Sequence, residues 1–117
     1  MKWRNLMLAA ALVAMTGAAQ AHTHLESATP ADNAVLASAP TKVTLRFSEP
    51  TRLTALTIQK EGEKAAERVQ GLPKEPSKEL SAPLAPLGAG KYTLDWRALG
   101  ADNHVMSGKL RFTVAAK

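Results

Sequence analysis

The stretch 43–47 reads Val-Thr-Leu-Arg-Phe and the stretch 92–96 reads Tyr-Thr-Leu-Asp-Trp, so apolar and polar residues alternate one by one in both. The same period of two runs through 56–59 and 110–114. Side chains on a β-strand point alternately to the two faces of a sheet, so this pattern is typical of strands with one face in a core and the other in water. Four such segments predict an all-β protein.

Turn-forming residues separate these segments, and no segment has the apolar stripe of a helix. They include Pro30–Asn33, Pro40, Pro50, Gly62, Gly88–Gly90 and Asn103. Residues 61–68 are predicted to form a hairpin, and residues 78–83, which lie in a proline-rich stretch, a short edge strand. Short strands with this spacing predict a β-sandwich.

The first 21 residues have the pattern of a secretory signal peptide. Lys2 and Arg4 form a positive start, residues 6–15 are an apolar run, and Ala19-Gln20-Ala21 is a small-x-small cleavage site. The apolar run is shorter than the roughly 20 residues that a bilayer requires. We therefore expect cleavage after Ala21, with residues 1–21 as the signal peptide and 22–117 as one domain; a retained anchor is the alternative.

The amino-acid composition limits which binding partners and which cellular compartment we expect for the protein. The chain has no cysteine, which excludes disulfides and thiolate metal sites, and an exported chain without cysteine favours the bacterial periplasm. The formal net charge is +5, but the basic residues are scattered and only 4% of residues are aromatic. A nucleic-acid surface needs clustered charge or stacking aromatics, so we expect no nucleic-acid partner.

Three residues have the chemistry of a metal site. Cleavage would give His22 a free α-amine, and this amine and the imidazole Nδ1 can chelate one ion together. In an extended segment, Asp102 and His104 point the same way, with Asn103 facing away and able to adopt a left-handed backbone. Three nitrogens and one carboxylate oxygen suit Cu(II), and Zn(II) accepts similar ligands.

Longer motifs carry a family resemblance over residues 22–117. The runs HTHL (22–25), SATPAD (27–32), VTLRFSEP (43–50), YTLDWR (92–97), DNHVMSG (102–108) and FTV (112–114) resemble the CopC family of periplasmic copper-binding proteins. The resemblance implies an immunoglobulin-like Greek-key β-sandwich that holds one Cu(II) ion through His22, Asp102 and His104. It also implies that Glu49 lies near the copper, as a weak ligand or a neighbour of the ligands, and that an inner-membrane CopD-type copper transporter is the partner.

The sequence departs from the family pattern in two ways. Asn103 and Val105 stand where the family often has glycine and proline, which bears on the rigidity of the loop. The methionine-rich loop of some members is missing, and Met106 is the only methionine after residue 21. Soft Cu(I) prefers several sulfur or imidazole ligands, so a site for Cu(II) alone is expected.

Other functions remain open from the residues alone. His24, third from the expected terminus, could form a square-planar Cu(II) chelate with the amine and two backbone amides, leaving Asp102 and His104 unused; otherwise His24 is a neighbour of the site. The residues are also compatible with a histidine-brace copper oxygenase and with a metal-free adhesive or chaperone-like sandwich. We expect a monomer with no enzymatic activity.

Overall fold

The computed structural model describes residues 23–116, which form seven β-strands and no helix. The strands are β1 (Leu25–Thr29), β2 (Ala34–Leu36), β3 (Lys42–Lys60), β4 (Glu67–Arg68), β5 (Ser77–Pro83), β6 (Gly90–Gly100) and β7 (Val105–Val114). The expected signal peptide and His22 lie outside the described residues. Within the described residues, no helix is long and apolar enough to cross a membrane.

Strand β3 is continuous along the chain, but its two halves have different partners. The first half pairs with β1 and β5, and the second half pairs with β6 and β4. The ring centroids of Phe47 and Trp96 are 5.4 Å apart, and Trp96 pairs with Leu56. A straight strand would place Phe47 and Leu56 about 30 Å apart. The chain therefore bends between them, and we refer to residues 48–50, where the pairing partners change, as the arch. Strand β3 nevertheless continues through Pro50, so the predicted break between two strands at this residue is wrong.

The arch divides the strands into two layers. One layer contains β1, the first half of β3, and β5. The other contains β4, the second half of β3, β6, β7 and β2, in that order. Pairing is antiparallel except between β2 and β7, which are parallel. The predicted immunoglobulin-like β-sandwich is confirmed.

The core lies between the two layers and consists of the apolar residues of the alternating segments. Phe47 of the first layer meets Trp96 of the second edge to face, and Tyr92 stacks on Phe112 of the neighbouring strand at 5.4 Å. Aromatic pairs in these arrangements contribute about 0.5–1.5 kcal/mol beyond the area that they bury. The other buried apolar residues are Val43, Leu45, Leu53, Leu56, Val69, Leu80, Ala82, Leu84, Leu94, Ala98, Leu110 and Val114.

Gly108 allows the Trp96 indole to lie directly on β7. The two residues are opposite each other in the β6–β7 ladder, and a Cβ added to Gly108 would lie 2.7 Å from Cζ2 of the indole. Only 7% of Trp96 is exposed. The indole is therefore fixed in the core on the strand that leads to the loop containing Asp102.

Two smaller predictions are also confirmed. Residues 61–68 form a hairpin, because β4 pairs with Thr57 and Ile58 of β3. Gly62, at its turn, has a φ of 96°, a conformation that favours glycine. Strand β5 covers the predicted edge strand and, within the described part of the chain, pairs with β3 alone.

Candidate metal centre

Residues 101–104 form a tight loop between Gly100, the last residue of β6, and Val105, the first residue of β7. The last pair of the hairpin is Leu99 with Val105. The N–H of Gly100 donates to the carbonyl of His104 at 3.0 Å, and the N–H of Asn103 donates to the carbonyl of Gly100 at 2.9 Å. Asn103 has a φ of 66°, the left-handed conformation that asparagine tolerates better than most residues. The loop is therefore fixed by its own backbone, and the expectation for Asn103 is confirmed.

Asp102 and His104 meet within this loop. Oδ1 of Asp102 accepts the backbone N–H of His104 at 3.1 Å, and Oδ2 lies 3.0 Å from Nδ1 of the His104 ring. The expectation that they approach through an extended segment is wrong, because residues 101–103 form a turn and a bend. An aspartate side chain that accepts a backbone N–H two residues ahead stabilises such a turn. The loop still brings the carboxylate and the imidazole together.

The Asp102 carboxylate is suited to act as an anion at neutral pH. The backbone N–H of His104 is the main group that lowers the pKa of Asp102, and it outweighs the opposing effect of burial. The side chains are open to solvent, with 33% of Asp102 and 71% of His104 exposed. Each carboxylate oxygen can accept more than one bond, so Oδ1 can keep the backbone N–H of His104 while the carboxylate contacts a metal.

The contact with Asp102 places one nitrogen of His104 beside the carboxylate. Nδ1 lies 3.0 Å from Oδ2 of Asp102. Two neighbouring donors that each lie about 2.0–2.2 Å from one metal ion have roughly this separation. The pair therefore has the donor chemistry of a nitrogen–oxygen metal site.

Thr23, the first residue that the structure describes, packs against the loop that contains Asp102 and His104. Thr23 is buried, with 9% of its surface exposed. A Cβ added to Gly100 would lie 2.8 Å from Oδ1 of Asp102 and 3.2 Å from Oγ1 of Thr23. Gly100 thus has Thr23 and Asp102 against it at once, and a larger residue would push them apart. Since His22 is bonded to Thr23, the peptide that carries it starts beside the loop.

His24 is attached to the arch through its backbone. Its N–H donates to Oγ of Ser48 at 3.0 Å, and its carbonyl accepts the N–H of Ser48 at 2.9 Å. Strand β1 begins only at Leu25, so Thr23 and His24 precede the strand rather than belonging to it. We refer to Thr23 and His24 together as the amino-terminal arm.

Glu49 lies in the arch next to Ser48 and is exposed. Its backbone carbonyl accepts the Thr51 hydroxyl at 2.8 Å. Between residues 23 and 116, no three His, Cys, Asp or Glu side chains are grouped closely enough to hold a metal ion. The structure therefore brings Asp102 and His104 together and does not add Glu49 or His24 to that pair.

The sequence alone does not single out three residues that shape this end of the sandwich. The role of Gly100 could have been predicted, because it is a glycine between a predicted strand and a polar loop. The roles of Thr23 and Ser48 could not, because they depend on how β1 and the arm pack against segments distant in the sequence.

Known proteins are similar to this chain in sequence and in fold. Residues 25–115 match the family model described as the CopC domain. The chain is 33% identical over 116 residues to copper resistance protein C of Pseudomonas syringae pv. tomato, with 92% of this chain and 91% of that protein covered. It is 34% identical to protein YobA of Escherichia coli strain K12, with 95% of each covered.

Solved structures of related proteins are also similar to this fold. CopC from Methylosinus trichosporium OB3b superposes with a TM-score of 0.70 at 27% identity, covering 81% of this chain and 95% of that one. PcoC, a methionine-rich copper resistance protein from Escherichia coli, superposes with a TM-score of 0.60 at 34% identity, covering 80% and 99%.

The fold and the loop define a small β-sandwich protein with a carboxylate–imidazole pair at one end. The chain belongs to the CopC family. The resemblance inferred from the motifs is confirmed.

Proposed function

We propose that this protein binds one Cu(II) ion in the periplasm and acts in copper homeostasis, resistance or import. The ligands are the α-amine and imidazole of His22, exposed by cleavage after Ala21, together with Asp102 and His104. The observation that carries the proposal is the contact of Thr23 and Asp102 with the same glycine, Gly100. Copper as the metal is supported by relatives named copper resistance protein C.

The geometry allows the two ends of the domain to supply one site. The Cα atom of His22 is about 3.8 Å from that of Thr23, which already touches the loop. Three nitrogens and one oxygen give the donor set that tetragonal Cu(II) accepts, and Cu(II) binds such sites more strongly than Zn(II) does. Glu49 remains a candidate for a weaker contact, because it lies in the arch beside the residue that holds the arm.

The proposed activity is binding and transfer of copper, without catalysis. A copper oxygenase of the histidine-brace type would turn over hydrogen peroxide on a polysaccharide, and a metal-free adhesive sandwich would not respond to copper. A CopD-type inner-membrane transporter is the partner proposed for a monomeric carrier of this kind.

The decisive experiment compares Cu(II) titrations of two proteins. The first is the processed form, whose intact mass must correspond to a start at His22. The second carries one added alanine before His22, which keeps every side chain and moves only the amine. Trp96 is the only tryptophan after residue 21 and lies about 13 Å along β6 from Gly100, close enough to report paramagnetic quenching.

We expect tight binding of one equivalent by the processed protein and a loss of at least tenfold in affinity with the added alanine. Equal affinities would exclude the amine as a ligand. A natural mature protein that starts at any other residue would exclude it as well.

A further inference from the structure

The amino-terminal arm is held at two points, and the second involves a side chain of the arch. Thr23 packs on Gly100, and the peptide of His24 is bound on both sides by Ser48. Ser48 uses its hydroxyl to accept the His24 N–H and its own backbone N–H to reach the His24 carbonyl. Of these two bonds, only the one to the hydroxyl depends on which residue occupies position 48.

Two copper geometries compete for a free amino terminus with this sequence. In the first, the ion is held by His22, Asp102 and His104. In the second, the ion lies in a square plane formed by the amine, the amide nitrogens of Thr23 and His24, and the His24 imidazole. Cu(II) then replaces the two amide protons, which leave to solvent. The second geometry therefore needs the His24 amide nitrogen as a metal donor.

The hydrogen bond to Ser48 opposes the second geometry. A His24 N–H that donates to Oγ of Ser48 cannot give up its proton to a metal without losing that bond. The backbone bond from Ser48 to the His24 carbonyl fixes the same peptide group, so the arm cannot wrap around an ion while it stays attached. Release of the arm is thus required before the chelate can form.

We propose that Ser48 determines which copper geometry this protein adopts. Its hydroxyl holds the His24 amide and so directs Cu(II) to His22, Asp102 and His104. Ser48 acts as a positioning residue that does not touch the metal. The inference rests on the proposed function, since it presupposes a free amine at His22.

The main test is electron paramagnetic resonance of the processed protein with one equivalent of Cu(II). The wild type should show three coordinated nitrogens, and Ser48→Ala should show a second, four-nitrogen species. Losing one such hydrogen bond should favour the released arm by about two- to tenfold. Adding His24→Ala to Ser48→Ala should remove the four-nitrogen species again.

Two control variants separate the specific role from a general loss of stability. Ser48→Thr keeps a hydroxyl and should keep the wild-type spectrum. Ser81→Ala removes a hydroxyl in the same layer, one that pairs with Thr44 at 2.8 Å, and should also leave the spectrum unchanged. A Ser48→Ala protein with the wild-type spectrum and affinity would overturn the proposal.

A metal-free measurement distinguishes this proposal from the proposed function. In the protein without copper, hydrogen exchange at the His24 amide should be about two- to tenfold faster in Ser48→Ala than in the wild type. Equal exchange rates overturn the role of Ser48, whatever the copper results. A wild-type spectrum that does not change in His104→Ala overturns the proposed copper site, even if the exchange rates differ.

Discussion

His104 and His24 are both exposed histidines, but the structure gives them different surroundings. The ring of His104 is oriented by Asp102, whereas the backbone of His24 is tied to Ser48. We expect His104→Ala to weaken Cu(II) binding by more than the roughly 10–100-fold that follows loss of an orienting group, because a direct ligand is removed. His24→Ala should change the affinity little.

The measurement is quenching of Trp96 fluorescence, with the coordinated nitrogens counted by electron paramagnetic resonance. The reverse order, in which His24→Ala abolishes tight binding and His104→Ala does not, would show that the chelate at the arm is the real site.

Asp102 provides a test that depends on pH and needs no metal. The pKa of the Asp102 carboxyl is lower in the folded than in the unfolded protein. Such a carboxyl stabilises the folded state at pH values above its unfolded-state pKa. This stabilisation is lost as the pH falls through the folded-state pKa. Asp102→Asn keeps an oxygen for the His104 N–H but has no charge. The variant should be less stable than the wild type at neutral pH, and the difference should shrink below about pH 4.

Urea unfolding of both proteins over a pH series gives the two stability curves. Parallel curves down to pH 2 would contradict a lowered pKa of Asp102 in the folded protein.

The packing of β6 against β7 depends on the close approach of the Trp96 indole to the backbone of Gly108. Gly108→Ala would place a methyl group 2.7 Å from the Trp96 indole, so the ring or the strand must move. Overpacking of this kind costs about 1–3 kcal/mol. Gly88→Ala is the matched control, because a Cβ at Gly88 has no atom within 4 Å.

Thermal unfolding followed by Trp96 emission should show a lower midpoint and an altered spectrum for Gly108→Ala alone. Two equally stable variants would mean that the indole is not held against β7.

The strands could be predicted because their signal is local: alternation needs only neighbouring residues, and turn residues mark the ends. The proximity of Asp102 and His104 was predictable for the same reason, although the turn that produces it was not. The docking of Thr23 on Gly100 and of His24 on Ser48 depends on the register of β1 with β3, which shifts between Leu25 and Ser27. No pattern within either segment contains that information.

Taken as a whole, the molecule offers copper nitrogen and oxygen far more readily than sulfur. Met106, half-buried in β7, is the only methionine after residue 21, and there is no cysteine. Cu(I) should therefore bind far more weakly than Cu(II), since the reduced ion prefers soft ligands. Competition of the processed protein against a Cu(I) chelator measures this directly, and retention of Cu(I) by the protein would reveal a site other than the one proposed.

The packing of the amino-terminal arm on Gly100 also sets an order of events in the life of the chain. Thr23 stands at the start of the described residues and Gly100 at the end of β6, so their contact can form only after β6 has been made and has docked beside the arm. A chain from which residue 100 has not yet emerged cannot have this contact. Under the proposed function, metal loading at this end would follow folding, and a chain that unfolds would release the ion.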